Sequence, residues 1–253
     1  MFNRMTALLA GASIAMAAFA LSHAAMAQTP SAAITAAVAD PGRPEADTKR
    51  DVTRHPAEVA AFAGAKPGQK IAEFTPGGGY FSRILSKTVG AKGHIYAVVL
   101  AVQAERGAKG ANDIAAAYPN VSVVTQTGSS FALPEKVDLV WTTDNYHDFR
   151  NPGFGGQDMA VFNKAVFDAL KPGGVYLVED YQAAPGVGAT QTGTLHRIEA
   201  ATVKAEATAA GFVFDGESKV LANAKDDHTL KIFDPTIRGE ADQYVLKFRK
   251  PGK

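Results

Sequence analysis

The densest group of chemically capable residues in this 253-residue chain is Thr143-Asp144-Asn145-Tyr146-His147-Asp148. Histidine titrates near neutral pH, so His147 can take a proton from a hydroxyl or an amine, and Asp148 beside it can orient the ring. Tyr146 can supply a stacking wall, and Asn145 a polar contact to a substrate. The plain alternative is a capped loop in which His147 bonds only backbone. Two further groups carry similar potential, Glu179-Asp180-Tyr181 and Thr194-Leu195-His196-Arg197. Asp180, His196 and Arg197 are candidate substrate-binding residues, with Arg197 clamping a carboxylate through its planar fork. His147, Asp148, Asp180 and His196 are also metal-ligand types. No short H-x-x-x-H spacing accompanies them, so no metal site is expected. His228, with Asp226 and Asp227, reads as a solvated turn.

Residues so far apart act together only if regular elements bring them to one place. Apolar β-branched runs at residues 70–74, 93–100, 120–126, 137–142 and 174–179 read as strands. Between them, residues 80–89, 104–118 and 158–170 have helical spacing. A helix at 202–210 is followed by two closing strands, 212–221 and 243–249, with no helix between them. Strands alternating with helices of this length imply βαβ units. The fold class predicted is α/β: a doubly wound, mostly parallel, Rossmann-like seven-stranded sheet with an antiparallel edge strand. Residues 143–148 then fall at the carboxyl end of the fourth strand, where such sheets bind ligands. A short helix with Pro56 in its first turn precedes the first strand, and the Gly/Ala-rich stretch 183–193 has the composition of a lid.

The first strand runs into Thr75-Pro76-Gly77-Gly78-Gly79-Tyr80. Glycines there let a ligand approach the backbone, and the helix that follows offers free N–H groups. A nicotinamide fingerprint would need G-x-G-x-x-G and a later acid. Phe81 and Ser82 stand where its third glycine belongs, and the second strand ends Val98-Val99-Leu100-Ala101 without a carboxylate.

Four segments recur in a familiar order: Glu73 to Tyr80, Val137-Asp138-Leu139-Val140-Trp141, Leu170-Lys171-Pro172-Gly173-Gly174 with the strand after it, and Ala209-Ala210-Gly211-Phe212. Over residues 55–249 the chain resembles the class I S-adenosylmethionine-dependent methyltransferases. The resemblance implies S-adenosylmethionine as cofactor and a small molecule as methyl acceptor. It also implies that Glu73, Thr75, Gly77 and Gly79 hold the cofactor's amino-acid end, with Asp144 or Asn145 near its methionine. Leu100 falls at the ribose position and Ser129 at the adenine position. Three positions depart from the family pattern: Thr75 replaces a glycine, Val99-Leu100 replaces an acid, and Gly128-Ser129 replaces Gly-Asp. Losing a charge-assisted hydrogen bond costs about 1.5–3 kcal/mol, so these departures imply weakened cofactor contacts. The alternative is a non-catalytic exported binding protein that keeps the fold; a glycine turn blocked by Phe74 or Phe131 would mark it.

Composition narrows the partners. The formal charge is +1, with 46% hydrophobic and 20% charged residues, which argues against nucleic-acid binding. No cysteine is present, so disulfides and thiolate chemistry are excluded. Residues 1–27 carry a single charge, Arg4, then an uncharged apolar run at 7–21 and Ala25-Met26-Ala27. This is the order of a secretory signal peptide cleaved near Ala27, and the run is short for a membrane span. A periplasmic or secreted protein without stable membrane insertion is expected. Residues 28–52 read as a flexible or loosely helical lead-in, and 53–253 as one domain.

Overall fold

In the computed structural model, residues 28–129 and 131–252 are described; the expected signal peptide lies outside them. Helices α1 (Ala32–Val38), α2 (Glu45–Thr48), α3 (Asp51–Arg54) and α4 (Pro56–Ala63) precede the first strand, β1 (Lys70–Phe74). The alternation then runs α5 (Tyr80–Val89), β2 (His94–Leu100), α6 (Ala104–Ala117), β3 (Val121–Gln126), β4 (Val137–Thr143), α7 (Met159–Ala169) and β5 (Leu170–Tyr181). It closes with α8 (Ala200–Ala209), β6 (Val213–Ser218) and β7 (Gln243–Arg249). Among the described residues no helix is long and apolar enough to cross a membrane.

The strands form one seven-stranded sheet in the order β3-β2-β1-β4-β5-β7-β6. The pairs from β3 through β5 are parallel, while β7 runs antiparallel between β5 and β6. Side chains alternate across the sheet and divide the core in two. Ile71, Ile95, Leu139, Trp141 and Leu177 face one way, against apolar residues of α1, α4, α5 and α6. Ala72, Val98, Val140, Tyr176 and Val178 face the other, against α7 and α8. This is the doubly wound architecture that the strand and helix spacing predicts. Because chain direction reverses its crossover beside β1, the carboxyl ends of β1, β2 and β4 open onto a crevice.

Of the two readings of residues 28–52, flexible or loosely helical, helices α1 and α2 favour the second, and the segment is fixed to the domain. Ser31 caps α1 through its side chain, and Ile34 and Ala37 are buried in the core. The rest is held by charge. The buried Arg43 guanidinium makes two 2.7 Å bonds to the Asp51 carboxylate and a third to Val38 O. Tyr80 donates to Asp51 at 2.6 Å, and Arg83 pairs with Asp47 at 2.7 Å, so both tie the segment to α5. Val38 excepted, these partners lie 8 to 36 residues apart in sequence, a distance at which periodicity carries no signal.

Replacing Asp51 with alanine should strand Arg43, whose side chain has no exposure, and should cost about 3 kcal/mol in urea denaturation. A loss under about 1 kcal/mol, the scale of a surface pair, would show that this network does not hold the helices in place.

Candidate active site

The β1–α5 turn builds the floor of a cleft of about 390 Å³. Gly79 takes φ 80° at the N-cap of α5, and a Cβ there would lie 2.4 Å from Ile114 of α6. Gly77 takes φ 56° with open space above its Cα, so a ligand can approach its backbone. Thr75 adopts φ 45°, a conformation that strains a β-branched side chain, and its hydroxyl has no partner. Glu73, Thr75, Gly77, Leu100, Asp144 and Asn145 all line this cleft, which brings together most of the proposed cofactor-binding residues. Phe74 packs instead against Phe131, Phe149 and Phe162 on the far side of the sheet, and neither Phe74 nor Phe131 blocks the turn.

Charge in the cleft is arranged around Arg54. Its guanidinium lies 2.9 Å from Asp144 and 3.5 Å from Glu179, over the rings of Tyr80 and Phe81. Glu73 is buried and accepts a 2.6 Å hydrogen bond from Ser82. Burial pushes its carboxyl up to about 7, against the opposing pull of Ser82, Arg54 and Arg83. Burial and the neighbouring Asp144 also raise Glu179. Asn145 donates to Phe74 O at 3.1 Å and leaves its own buried carbonyl oxygen unpaired. Such an orphaned acceptor at a cleft wall suits a donor on a ligand.

Beside the cleft, His147 is almost fully buried and does not line it. Asp180 fixes it twice, accepting from its backbone N–H and from Nδ1, each at 2.7 Å. Nε2 lies 3.3 Å from Asp148 Oδ1 and 3.3 Å from His196 Nδ1. Burial alone would lower the ring's pKa, but Asp180 and Asp148 outweigh it and lift the value to about 10. Its Nε2 faces Asp148 and His196 and not the cleft, so the geometry does not suit the general-base role the sequence suggested. Asp148 alone of this group reaches the cleft wall.

Other sequence-based assignments also move. Tyr146 is no stacking wall: it is buried, donates to Glu206 at 2.7 Å and accepts from Asn163. Arg197 is no substrate clamp, because it is fully buried and pairs with Asp226 at 2.8 Å while donating to Gln182 O and Leu230 O. Asp226 is therefore a buried anchor and not part of a solvated turn. Asp180 has no exposure and serves His147. Ser129 accepts from the N–H of Asp158, the N-cap residue of α7, and stands apart from the cleft lining. The 183–193 stretch is tied down, since Glu199 accepts from Gly186 and Gly188 and Thr192 bonds Asn151.

Several cleft residues carried no local signal. Arg50 comes from the segment that reads as a lead-in, Arg54 from the short turn before α4, and Gln103 follows β2 in a single 3-10 turn. Gln103 donates its amide to Gly153 O, with its carbonyl oxygen left over. Gly110 of α6 lies so near the turn that a Cβ would meet Gly77 O at 2.2 Å. A glycine pair within a helical run was the one available hint of that close approach.

No family model matches the chain, and no curated protein matches it. Solved structures do. A SAM dependent methyltransferase from Aquifex aeolicus matches at TM-score 0.54 and 18% identity, covering 76% of this chain and 88% of that one. The N-methyltransferase NodS from Bradyrhizobium japonicum WM9 matches at 0.53 and 13%, covering 80% and 96%. The cyclase SpnF matches at 0.56 and 17%, covering 82% of each chain. At such identities the likeness is one of backbone, and a cyclase among the matches shows that this backbone serves more than one chemistry. The chain has the fold of the class I S-adenosylmethionine-dependent methyltransferases.

Proposed function

We propose that the chain binds S-adenosylmethionine in the cleft beside β1 and transfers its methyl group to a small-molecule acceptor. One observation carries this reading: an open glycine turn at Gly77 lies next to a buried carboxyl, Glu73, at the carboxyl edge of the sheet. When bound, the cofactor supplies an electrophilic methyl carbon on a sulfonium. The chain's own residues would bind and orient it. Glu73 and the Asn145 carbonyl oxygen accept from an ammonium, and Arg50 and Arg54 face a carboxylate. Val99, Leu100 and Phe154 offer apolar surface to a base, and Gln103, just beyond the end of β2, offers a neutral acceptor. Positioning supplies most of the rate in such a site, because holding two reactants in line removes a large entropic barrier. The near-neutral formal charge favours a small acceptor over nucleic acid. The pattern of residues 1–27 supports action outside the cytoplasm.

Calorimetry with S-adenosylmethionine and S-adenosylhomocysteine tests the reading. Both should bind, and Glu73→Gln should weaken binding by roughly tenfold or more, the scale of one charge-assisted hydrogen bond. Absence of binding at millimolar ligand would overturn it.

A pH series tests the role of Glu73. Its folded pKa of about 7 lies above the usual 4.5, so the empty protein favours the proton. Stability from this group is therefore complete below the ordinary carboxylate range and is lost as pH rises through about 7. An arriving ammonium favours the carboxylate and expels the proton, so ligand affinity should rise with pH through the same window. Both dependences should flatten in Glu73→Gln, and an unchanged affinity profile in that variant would remove Glu73 from the site.

A further inference from the structure

Three ligand-type atoms converge just behind the cleft wall: His147 Nε2, His196 Nδ1 and Asp148 Oδ1. We propose that they form a binding site for one divalent transition-metal ion of the zinc type. Their separations are 3.3 Å between the two nitrogens, 3.3 Å from His147 to the oxygen and 3.2 Å from His196 to it. A tetrahedral ion with bonds of about 2.0–2.1 Å sets its ligand atoms about 3.3–3.4 Å apart. The triangle is one face of that tetrahedron. Two imidazoles and a carboxylate with a fourth position free is also the donor set of open zinc sites.

Atoms of this kind need positive charge among them, and a shared proton is the competing occupant. A proton would draw one pair to the 2.7–2.9 Å of a charge-assisted hydrogen bond. That contraction is seen next door, where His147 Nδ1 meets Asp180 at 2.7 Å, and not within the triangle. The neighbours are those a metal site requires. Asp180 holds Nδ1 of His147, which turns Nε2 inward, and Asn151 donates to Asp148 Oδ1 at 3.0 Å. His196 takes a strained φ of 57° next to Arg197, which is locked to Asp226, and Phe233 packs on its ring at 4.9 Å. Elements more than forty residues apart are thus fixed so that three donors meet.

Zinc titration of the chelator-treated chain by calorimetry tests it, with visible spectroscopy of the cobalt-substituted chain as a second readout. The expected result is one ion per chain and the intense visible bands of tetrahedral cobalt. Asp180→Asn should weaken binding about 10–100-fold, the usual cost of losing an outer partner. His196→Ala, at a partly exposed position, should weaken it further and abolish the cobalt bands. No zinc binding by the unmodified chain would overturn the proposal and leave a proton as the sole occupant. Zinc binding undiminished in His196→Ala would overturn it equally.

Discussion

A guanidinium lying across two aromatic rings, with a carboxylate on either side, joins nearly every element around the cleft. Arg54 comes from α3, Tyr80 and Phe81 from α5, Asp144 from the end of β4 and Glu179 from β5. Burying a charge is expensive unless it is paired, and a planar guanidinium that stacks while it pairs satisfies that demand on several sides at once. The consequence reaches further than local stability. With Arg54 in place, the short N-terminal helices cannot lift from the sheet without exposing Asp144 and Glu179 to each other's charge. The Arg43–Asp51–Tyr80 network secures the same segment one turn away. The crevice that any sheet of this winding leaves beside its first strand becomes, in this chain, a walled site.

How much of this was legible depended on the range of the interaction. The sheet was readable because burial on both faces writes β-branched runs into the strands, and the Gly77–Gly79 turn was readable because its backbone demands are local. Positions whose side chains answer to remote partners were not. Arg197 reads as a clamp until Asp226, 29 residues on, is found beside it. Tyr146 reads as a wall until Glu206 takes its hydroxyl, and Ser129 reads as an adenine contact until the start of α7 claims it. The loop after β4 is dense in polar side chains, yet which of them face the cleft is set by partners on other elements, Asp180 of β5 for His147 and Glu206 of α8 for Tyr146. Asp144, Asn145 and Asp148 point there, while Tyr146 and His147 turn inward.

That inward turn divides the edge of the sheet into two kinds of site. The cleft offers backbone, apolar surface and unpaired polar atoms, which suits a ligand of mixed character. The histidine cluster is pinned by Asp180 and by Asn151 and offers a single point of convergent charge. Asp148 belongs to both, since it lines the cleft and faces both imidazoles. Whatever cation occupies the cluster therefore sets the charge on one wall of the cleft.

Backbone strain supports the same partition. Among the described residues, five other than glycine take positive φ: His55, Thr75, Asp144, His196 and His228. Such conformations cost on the order of 1–3 kcal/mol each and persist only where surrounding contacts over-determine them. Thr75 is held by its N–H to Val98 O, and Asp144 by its N–H to Glu179 O with its carboxylate between Arg54 and Gln243. His55 turns the chain between α3 and α4, immediately after Arg54. Four of the five thus belong to the cleft, to the histidine cluster or to the turn that delivers Arg54. Strain spread at random would also fall on the amino ends of the strands, where none of these residues lies. Thr75 combines positive φ with a buried hydroxyl that has no partner, so the turn holds an unspent hydrogen-bonding group beside the cleft.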